Sequence, residues 1–260
     1  TTLEADAAMK SIVRRDTGED WQQYVRRLMQ EAGQIEPGDE PTAEEIARFD
    51  RKRQDKKVSN QDWQSETDPD SRITKMKDGR THLAYKAEHV IDLDTELVLA
   101  AEVYHADMAD VDTLGPSVSQ AQDNLIRANC DADIEEAVAD KGYSSNETLA
   151  DLEFTEGLRT YVAEPKQTHR RNWKNKPQEH HQAVTNNRRR VKGKRGRALQ
   201  RLRSEKGERS FAHVCETGGA RRTRLRGRAN VEKRYLLQAA WANLALVMRT
   251  LGGLGTPRGG

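Results

Sequence analysis

Three carboxylate positions in this 260-residue chain sit in patterns that could do chemistry. In Glu135-Glu136-Ala137-Val138-Ala139-Asp140-Lys141-Gly142-Tyr143-Ser144, a short apolar run ends on Asp140, and a glycine comes two residues later. A strand of this kind holds the backbone rigid up to the carboxylate, and Gly142 lets the chain turn sharply, so Asp140 stands at the rim of a sheet. Ser145 has N-cap chemistry for the next helix, and Glu147 places a negative charge near its positive end. Glu208 precedes Phe211 and Ala212 by three and four residues, on a helical face above an aromatic anchor that points at the core. Asp68 and Asp70 flank Pro69 in the polar loop 62–71, where ordinary turn chemistry also accounts for them. A carboxylate at a sheet rim can serve a charged partner or simply face water, and the turn alone leaves both open.

The elements around these residues read as a mixed α/β chain. Residues 1–60 read as helical, with Leu3, Ala7, Ala8, Ile12 and Val13 on one apolar face and Trp21, Tyr24, Val25 and Leu28 on another. Trp21 and Tyr24 read as packing residues. Thr42 with Glu45 forms a capping box, ahead of a charged tail over 51–57. A turn at Asp78-Gly79 leads into residues 81–93, which pair through Asp94-Thr95 with 96–104 as a long hairpin. His82, His89 and His105 on these strands lack metal-ligand spacing and read as ordinary surface or half-buried histidines. Next come a helix over 114–128, the strand ending at Asp140, a helix over 149–158 and a strand over 159–163. The order predicts a central sheet flanked by helices. A final helix over 230–251 is predicted to bury Leu236, Ala240, Asn243, Val247 and Leu251, with Leu237, Trp241, Leu244 and Met248 beside them, and Gly252-Gly253 stops it. The tail from 255 onward reads as frayed.

Hydrophobic residues are 35% and charged residues 33%, so the core must be modest and the surface very polar. No apolar run approaches the roughly 20 residues of a membrane helix. Cys130 and Cys215 are too few for a disulfide framework and lack zinc spacing, which reads as a reducing, cytosolic setting with incidental thiols. The net charge of +2 conceals an asymmetry: residues 166–234 hold 23 Lys+Arg against 5 Asp+Glu, and the rest holds 21 against 37. A basic block of that density points to a polyanion such as DNA or RNA; the bland alternative is a solvated or disordered charged insertion. Its densest run, Asn187 to Arg197 within the insertion 166–203, includes Arg188, Arg189 and Arg190, and its glycines are expected to keep part of it flexible. A second cluster holds Arg221, Arg222, Arg224, Arg226 and Arg228. Such side chains pair with phosphates, which gives affinity with little sequence choice.

Three stretches together resemble a known family. AVADKGYSSNE, ERSFAHVCETGGARRTRLRGRANVEKRYLLQAAWANLALVMR and TDPDSRITKMKDGRTHLAYKAEHVIDLDT are similar to the catalytic region of bacterial insertion-sequence transposases of the DDE type. The resemblance covers most of residues 60–251 and implies a ribonuclease H-like fold. It implies that Asp140 and Glu208 are the second and third catalytic acids, and that two Mg²⁺ (or Mn²⁺) ions are the cofactors. Phosphoryl transfer through two such ions about 3.5–4 Å apart needs hard oxygen ligands converging at one place. Lys141 and Tyr143 would touch nearby phosphates, and the arginine clusters would hold the backbone of double-stranded DNA, both transposon ends and target. The resemblance further implies an assembly of at least two copies, no membrane, and a bacterial cytoplasmic location with action at the nucleoid.

The first acid of that family departs from the pattern here. Thr1-Thr2-Leu3-Glu4-Ala5-Asp6-Ala7 resembles the family's segment immediately after that acid, which implies an Asp ahead of Thr1 and an N-terminally truncated fragment. Asp68, with Asp70 behind it, is the rival candidate for the catalytic and metal-binding position. On this reading residues 1–60 are a helical insertion after a missing first strand, 61–251 the catalytic core, and 252–260 a flexible tail. The expected activity is metal-dependent cleavage of DNA ends and strand transfer. The alternatives are an inactive remnant that only binds DNA, or a plain nucleic-acid-binding protein without a metal site.

Overall fold

A computed structural model describes residues 1–54, 58–76, 78–166 and 171–253. In chain order the elements are β1 (Thr2–Glu4), β2 (Ile12–Arg14), α1 (Trp21–Glu31), α2 (Ala43–Lys52), β3 (Trp63–Ser65), β4 (Arg72–Lys75), β5 (Thr81–Ile91) and β6 (Val98–His105). Then come α3 (Asp110–Arg127), β7 (Glu136–Ala139), α4 (Asn146–Ala150), β8 (Arg159–Val162), α5 (Gln178–Lys192), α6 (Lys194–Phe211) and α7 (Arg228–Leu251). The class is mixed α/β, as the order of elements predicts. β5 is the hub: β1 pairs antiparallel along one edge, and β4 and β6 also pair with it. β2 and β3 form a separate antiparallel pair, and β7 and β8 a parallel one.

The period of two along β5 sorts its side chains into two unlike faces. Leu83, Tyr85 and Ala87 join Ala101 and Val103 of β6 in the main core, against Val231, Tyr235 and Ala239 of α7. Lys86 and Glu88 point the other way, to Thr113 and Ser117 of α3. Leu114 and Val118, one position along α3, enter a second core with Ala137 and Ala139 of β7, Leu149, Val162 and Val184. α3 therefore joins the hairpin to the β7–β8 pair with a polar and an apolar face. Val25, Met29 and Ile46 make a third cluster between α1 and α2, and both helices carry complete capping boxes.

Three expectations change. Residues 1–14 are two short strands around a 3₁₀ turn, not a helix, because Leu3 and Ile12 bury in strand pairings too short to show a period. The arginine-rich run is helical rather than flexible, bending only at Gly193, and the lack of a side chain at Gly196 lets α6 pack on the Arg190 carbonyl. α7 buries a different face from the expected one: Leu236, Leu237, Trp241, Leu244, Val247, Met248 and Leu251 are exposed, and Val231, Tyr235 and Ala239 are inside. Residues 235–248 contain no charge, so periodicity could not choose a face. Small Ala239 lets α7 approach β6, and Asn243 locks it there, accepting from Val98 N–H at 2.9 Å and donating to Val98 O at 2.8 Å. The expected frayed tail, and part of the charged tail after α2, lie outside the described residues.

His89 ties β5, α6 and α7 together. Its ring stacks on Phe211 at 4.1 Å, Nε2 lies 2.7 Å from the Tyr235 hydroxyl, and Nδ1 lies 2.9 Å from Ser210 Oγ. Ser210 Oγ donates onward to Gly207 O, so the consistent tautomer takes the Tyr235 proton at Nε2 and donates Nδ1–H to Ser210. Burial lowers the His89 pKa to about 3. A histidine kept neutral in the fold but free to protonate near 6.5 when unfolded contributes stability above pH 6.5, and loses it progressively as pH falls toward about 3. Urea unfolding at pH 7, 6 and 5 should show stability falling by up to about 1.4 kcal/mol per pH unit from this one proton. His89→Gln, which cannot protonate, should remove that component; an unchanged pH slope would contradict it.

Candidate active site

Asp140 closes β7 as the sequence predicts. Its backbone is extended (φ −76°, ψ 168°), and Lys141–Tyr143 then turns in one 3₁₀ step. Asp140 Oδ1 accepts from Lys141 N–H at 2.7 Å, and Tyr143 N–H donates to Asp140 O at 3.1 Å. Ser145 caps α4 by accepting from Thr148 N–H at 2.9 Å. The Asp140 side chain keeps 55% of its surface in solvent.

α6 lies against the C-terminal ends of β7 and β8. Gln200 Nε2 donates to Ala139 O at 3.1 Å and also to Tyr161 O. Arg203, on the same stretch, brings Nη2 to 3.9 Å from Asp140 Oδ1. Glu208 lies farther along this helix, exposed, its side chain without a hydrogen bond or ion pair among the described residues. Phe211, its expected anchor, does reach the core, as the stacking partner of His89.

Behind the Asp140 turn lies a buried charge network that sequence reasoning missed. Lys86 and Glu88 are 7% and 5% exposed. Lys86 Nζ lies 2.8 Å from Glu88 Oε1 and 2.7 Å from Asp110 Oδ1. Glu88 accepts from Thr113 Oγ1 at 2.6 Å, Ser117 Oγ at 3.0 Å and the Tyr143 hydroxyl at 3.0 Å. Burial, then the Glu88 charge, pushes the Tyr143 pKa well above its ordinary value, so the hydroxyl stays protonated and donates. A Cβ at Gly142 would collide with the Asp110 carboxylate, so the turn packs directly onto the network. The available signal was a Lys and a Glu two residues apart in an otherwise apolar strand, hence on one face.

Asp68 sits on the other side of β5. It is fully buried, and both carboxylate oxygens lie 2.7 Å from the Tyr85 hydroxyl, with Oδ1 also accepting from Gly227 N–H at 3.0 Å. Asp70 Oδ2 accepts from Arg228 N–H at 2.9 Å. The two acids thus satisfy the start of α7, where the helix dipole favours negative charge. Tyr85 and Lys86 are adjacent in the strand and face opposite ways, so Asp68 and the network behind Asp140 occupy opposite faces of the sheet. Among the described residues, no group of three or more His, Cys, Asp or Glu side chains could hold a metal ion. Asp140 and Glu208 still fit in kind, since Mg²⁺ takes one or two protein carboxylates and completes its shell with water and substrate phosphate.

A family model for the transposase DDE domain matches residues 53–244. The chain belongs to this family. No curated protein and no solved structure matches it. Membership gives the mixed α/β architecture its ribonuclease H-like reading and makes the chain a domain of nucleic-acid-processing enzymes that bind DNA and generally use divalent metal ions. Among the described residues, no helix is long and apolar enough to cross a membrane.

In this transposase domain the basic residues divide into two sets. Arg188 binds Glu164 through two nitrogens, Arg190 binds Glu153 at 2.6 Å and Thr160 O, and Arg228 binds Val103 O and Glu232. Arg221 pairs with Glu216 at 2.6 Å, and Arg226 with Asp6 at 3.3 Å. The side chains of Lys141, Arg189, Arg222 and Arg224 are exposed, and among the described residues their one ion pair is a 3.9 Å contact from Arg222 to Glu4. Backbone bonds of Glu4 with Arg221 and Thr223 lay the second arginine cluster along β1 as an added edge. Lys86→Met would leave Glu88 buried without its countercharge, with an expected cost of about 3–5 kcal/mol in chemical denaturation. Lys86→Met/Glu88→Gln should recover part of that loss; a single variant as stable as the parent would show that the network does not brace the fold.

Proposed function

We propose that this domain cuts DNA at transposon ends and joins the ends to target DNA, with Asp140 and Glu208 holding the divalent ions. The observation that carries this reading is the exposed Asp140 carboxylate at a strand end, braced from behind by Tyr143 and Glu88 and crossed by the helix that bears Glu208. When bound, Mg²⁺ or Mn²⁺ as a two-ion centre would neutralise charge on the phosphate undergoing transfer. The Lys141–Tyr143 turn orients the Asp140 carboxylate. Lys141 supplies an exposed ammonium beside it for a flanking phosphate, and Arg189, Arg222 and Arg224 add backbone contacts without sequence choice. Asp68 acts as an anchor for α7 instead of a metal ligand, since its oxygens are occupied by Tyr85 and Gly227. A second reading, DNA binding without cleavage, is favoured by the lack of a three-ligand group among the described residues.

Nicking of supercoiled plasmid in Mn²⁺ separates the two readings. On the first, Asp140→Asn and Glu208→Gln each lose on the order of 100-fold or more in nicking rate while plasmid binding stays, and the thermal stabilisation by Mn²⁺ seen in the parent disappears. Binding without nicking or metal-dependent stabilisation in the parent supports the second. Arg222→Ala and Arg224→Ala should each lower the slope of log affinity against log salt by about 0.9. Unchanged slopes would take these arginines out of the DNA interface.

A further inference from the structure

Just past the Asp140 turn lies an open cleft of about 550 Å³. It is lined by residues 144–146, where the turn ends, and by Arg171, Lys174 and Lys176 from the loop before α5. None of the described residues lining it is acidic. The loop is pinned in place. Arg171 donates to Asn146 Oδ1 at 2.8 Å and pairs with Glu164 at 3.3 Å, and Trp173 packs into the second core, edge-on to His181. Between the two lysines Asn175 takes the left-handed conformation (φ 61°), and Lys176 N–H closes the turn on Trp173 O at 3.3 Å. Lys174 and Lys176 are exposed and have no ion-pair partner among the described residues. The Ser144 hydroxyl is buried and has no hydrogen-bond partner among them either. A buried polar atom left unpaired is costly and uncommon, so Ser144 calls for a partner that the fold itself does not provide.

We propose that this cleft holds the terminal phosphomonoester of a DNA strand, with Lys174 and Lys176 matching its charge and Ser144 donating to one of its oxygens. Charge selects the ligand. A backbone phosphodiester carries one negative charge, whereas a phosphomonoester carries about −1.5 to −2 at pH 7, which suits two unpaired ammonium groups. The inference rests on the DNA-cutting reading above. Hydrolysis of a phosphodiester adds water across one P–O bond, leaving a hydroxyl on one new end and a phosphomonoester on the other. Ser144 follows Asp140 by four residues, and its N–H bonds to Lys141 O, so it moves with the turn. Chain length alone keeps the two Cα atoms within about 14 Å, a span that about four nucleotides of one strand cover. A phosphate end formed at Asp140 is thus within reach of the cleft, which keeps the cut flank on the protein.

Binding of short duplexes, without metal and at fixed ionic strength, tests this apart from cleavage. A duplex ending in a 5′-phosphate or a 3′-phosphate should bind the parent at least about tenfold more tightly than the same duplex with hydroxyl ends. Lys174→Gln/Lys176→Gln should erase that ratio even where overall affinity also falls, and Ser144→Ala should cut it by about threefold or more. Ser144→Ala should melt no lower than the parent, because its hydroxyl gives up no bond; a clear drop would assign it a structural role instead. Equal affinity for both kinds of end, or a preference that survives the lysine double variant, would overturn the proposal. Thermal stabilisation by millimolar inorganic phosphate through the same lysines, with indifference to the DNA end, would make this a free-phosphate site and overturn the DNA source. A parent that nicks plasmid yet ignores the end phosphate overturns the cleft and leaves the proposed cleavage standing; an end preference in a parent that never nicks supports the cleft and counts against cleavage.

Discussion

The salt bridge between Lys86 and Glu88, buried at the centre of the hairpin, is the constraint on which the Asp140 side of the molecule depends. Two charges out of water are tolerated only when their remaining hydrogen-bonding capacity is met. Here Thr113, Ser117, Asp110 and Tyr143 meet it. They come from two stretches of chain: α3 supplies two hydroxyls and, at its first residue, a second carboxylate, and the turn after β7 supplies a phenol. Satisfying one ion pair therefore fixes two elements relative to β5, α3 and the Asp140 turn.

The opposite face of β5 solves a related problem with different means. α7 begins at a half-buried turn, where its first N–H groups need acceptors. Asp68 and Asp70 provide them, and Tyr85 shares the Asp68 carboxylate. The acids of the Asp-Pro-Asp turn are thus spent on a helix start far away in sequence, which also fixes the arginine-bearing segment just before it. With α7 positioned, His89 can sit between Tyr235, Ser210 and Phe211, and α6 is held along the strand ends. The position of Glu208 depends on that stack.

Charge in this chain has two uses that composition cannot separate. Arg188, Arg190, Arg221, Arg226 and Arg228 brace the fold through carboxylates and carbonyls, and Lys141, Arg189, Arg222 and Arg224 face outward. The basic insertion is therefore partly a scaffold: Asn187, buried within it, accepts from Val162 N–H at 2.8 Å and donates to Val162 O, closing the free edge of β8. A polyanion bound here meets a rigid pair of helices.

The sequence by itself determined what short-range physics controls. The long hairpin, the strand ending on Asp140, the Ser145 cap and the Thr42–Glu45 capping box were legible because alternation, turn chemistry and capping act over a few residues. The family resemblance was legible for the same reason, since its motifs are contiguous. Only the tertiary structure decided which face of α7 is inside, because its uncharged stretch 235–248 shows no preferred side until Asn243 finds the Val98 backbone. It also decided that Asp68 is buried against Tyr85 and Gly227, that residues 1–14 pair as strands, and that Lys86, Glu88 and Tyr143 meet. Those outcomes rest on contacts between residues tens of positions apart, and no local pattern encodes which distant partner will arrive.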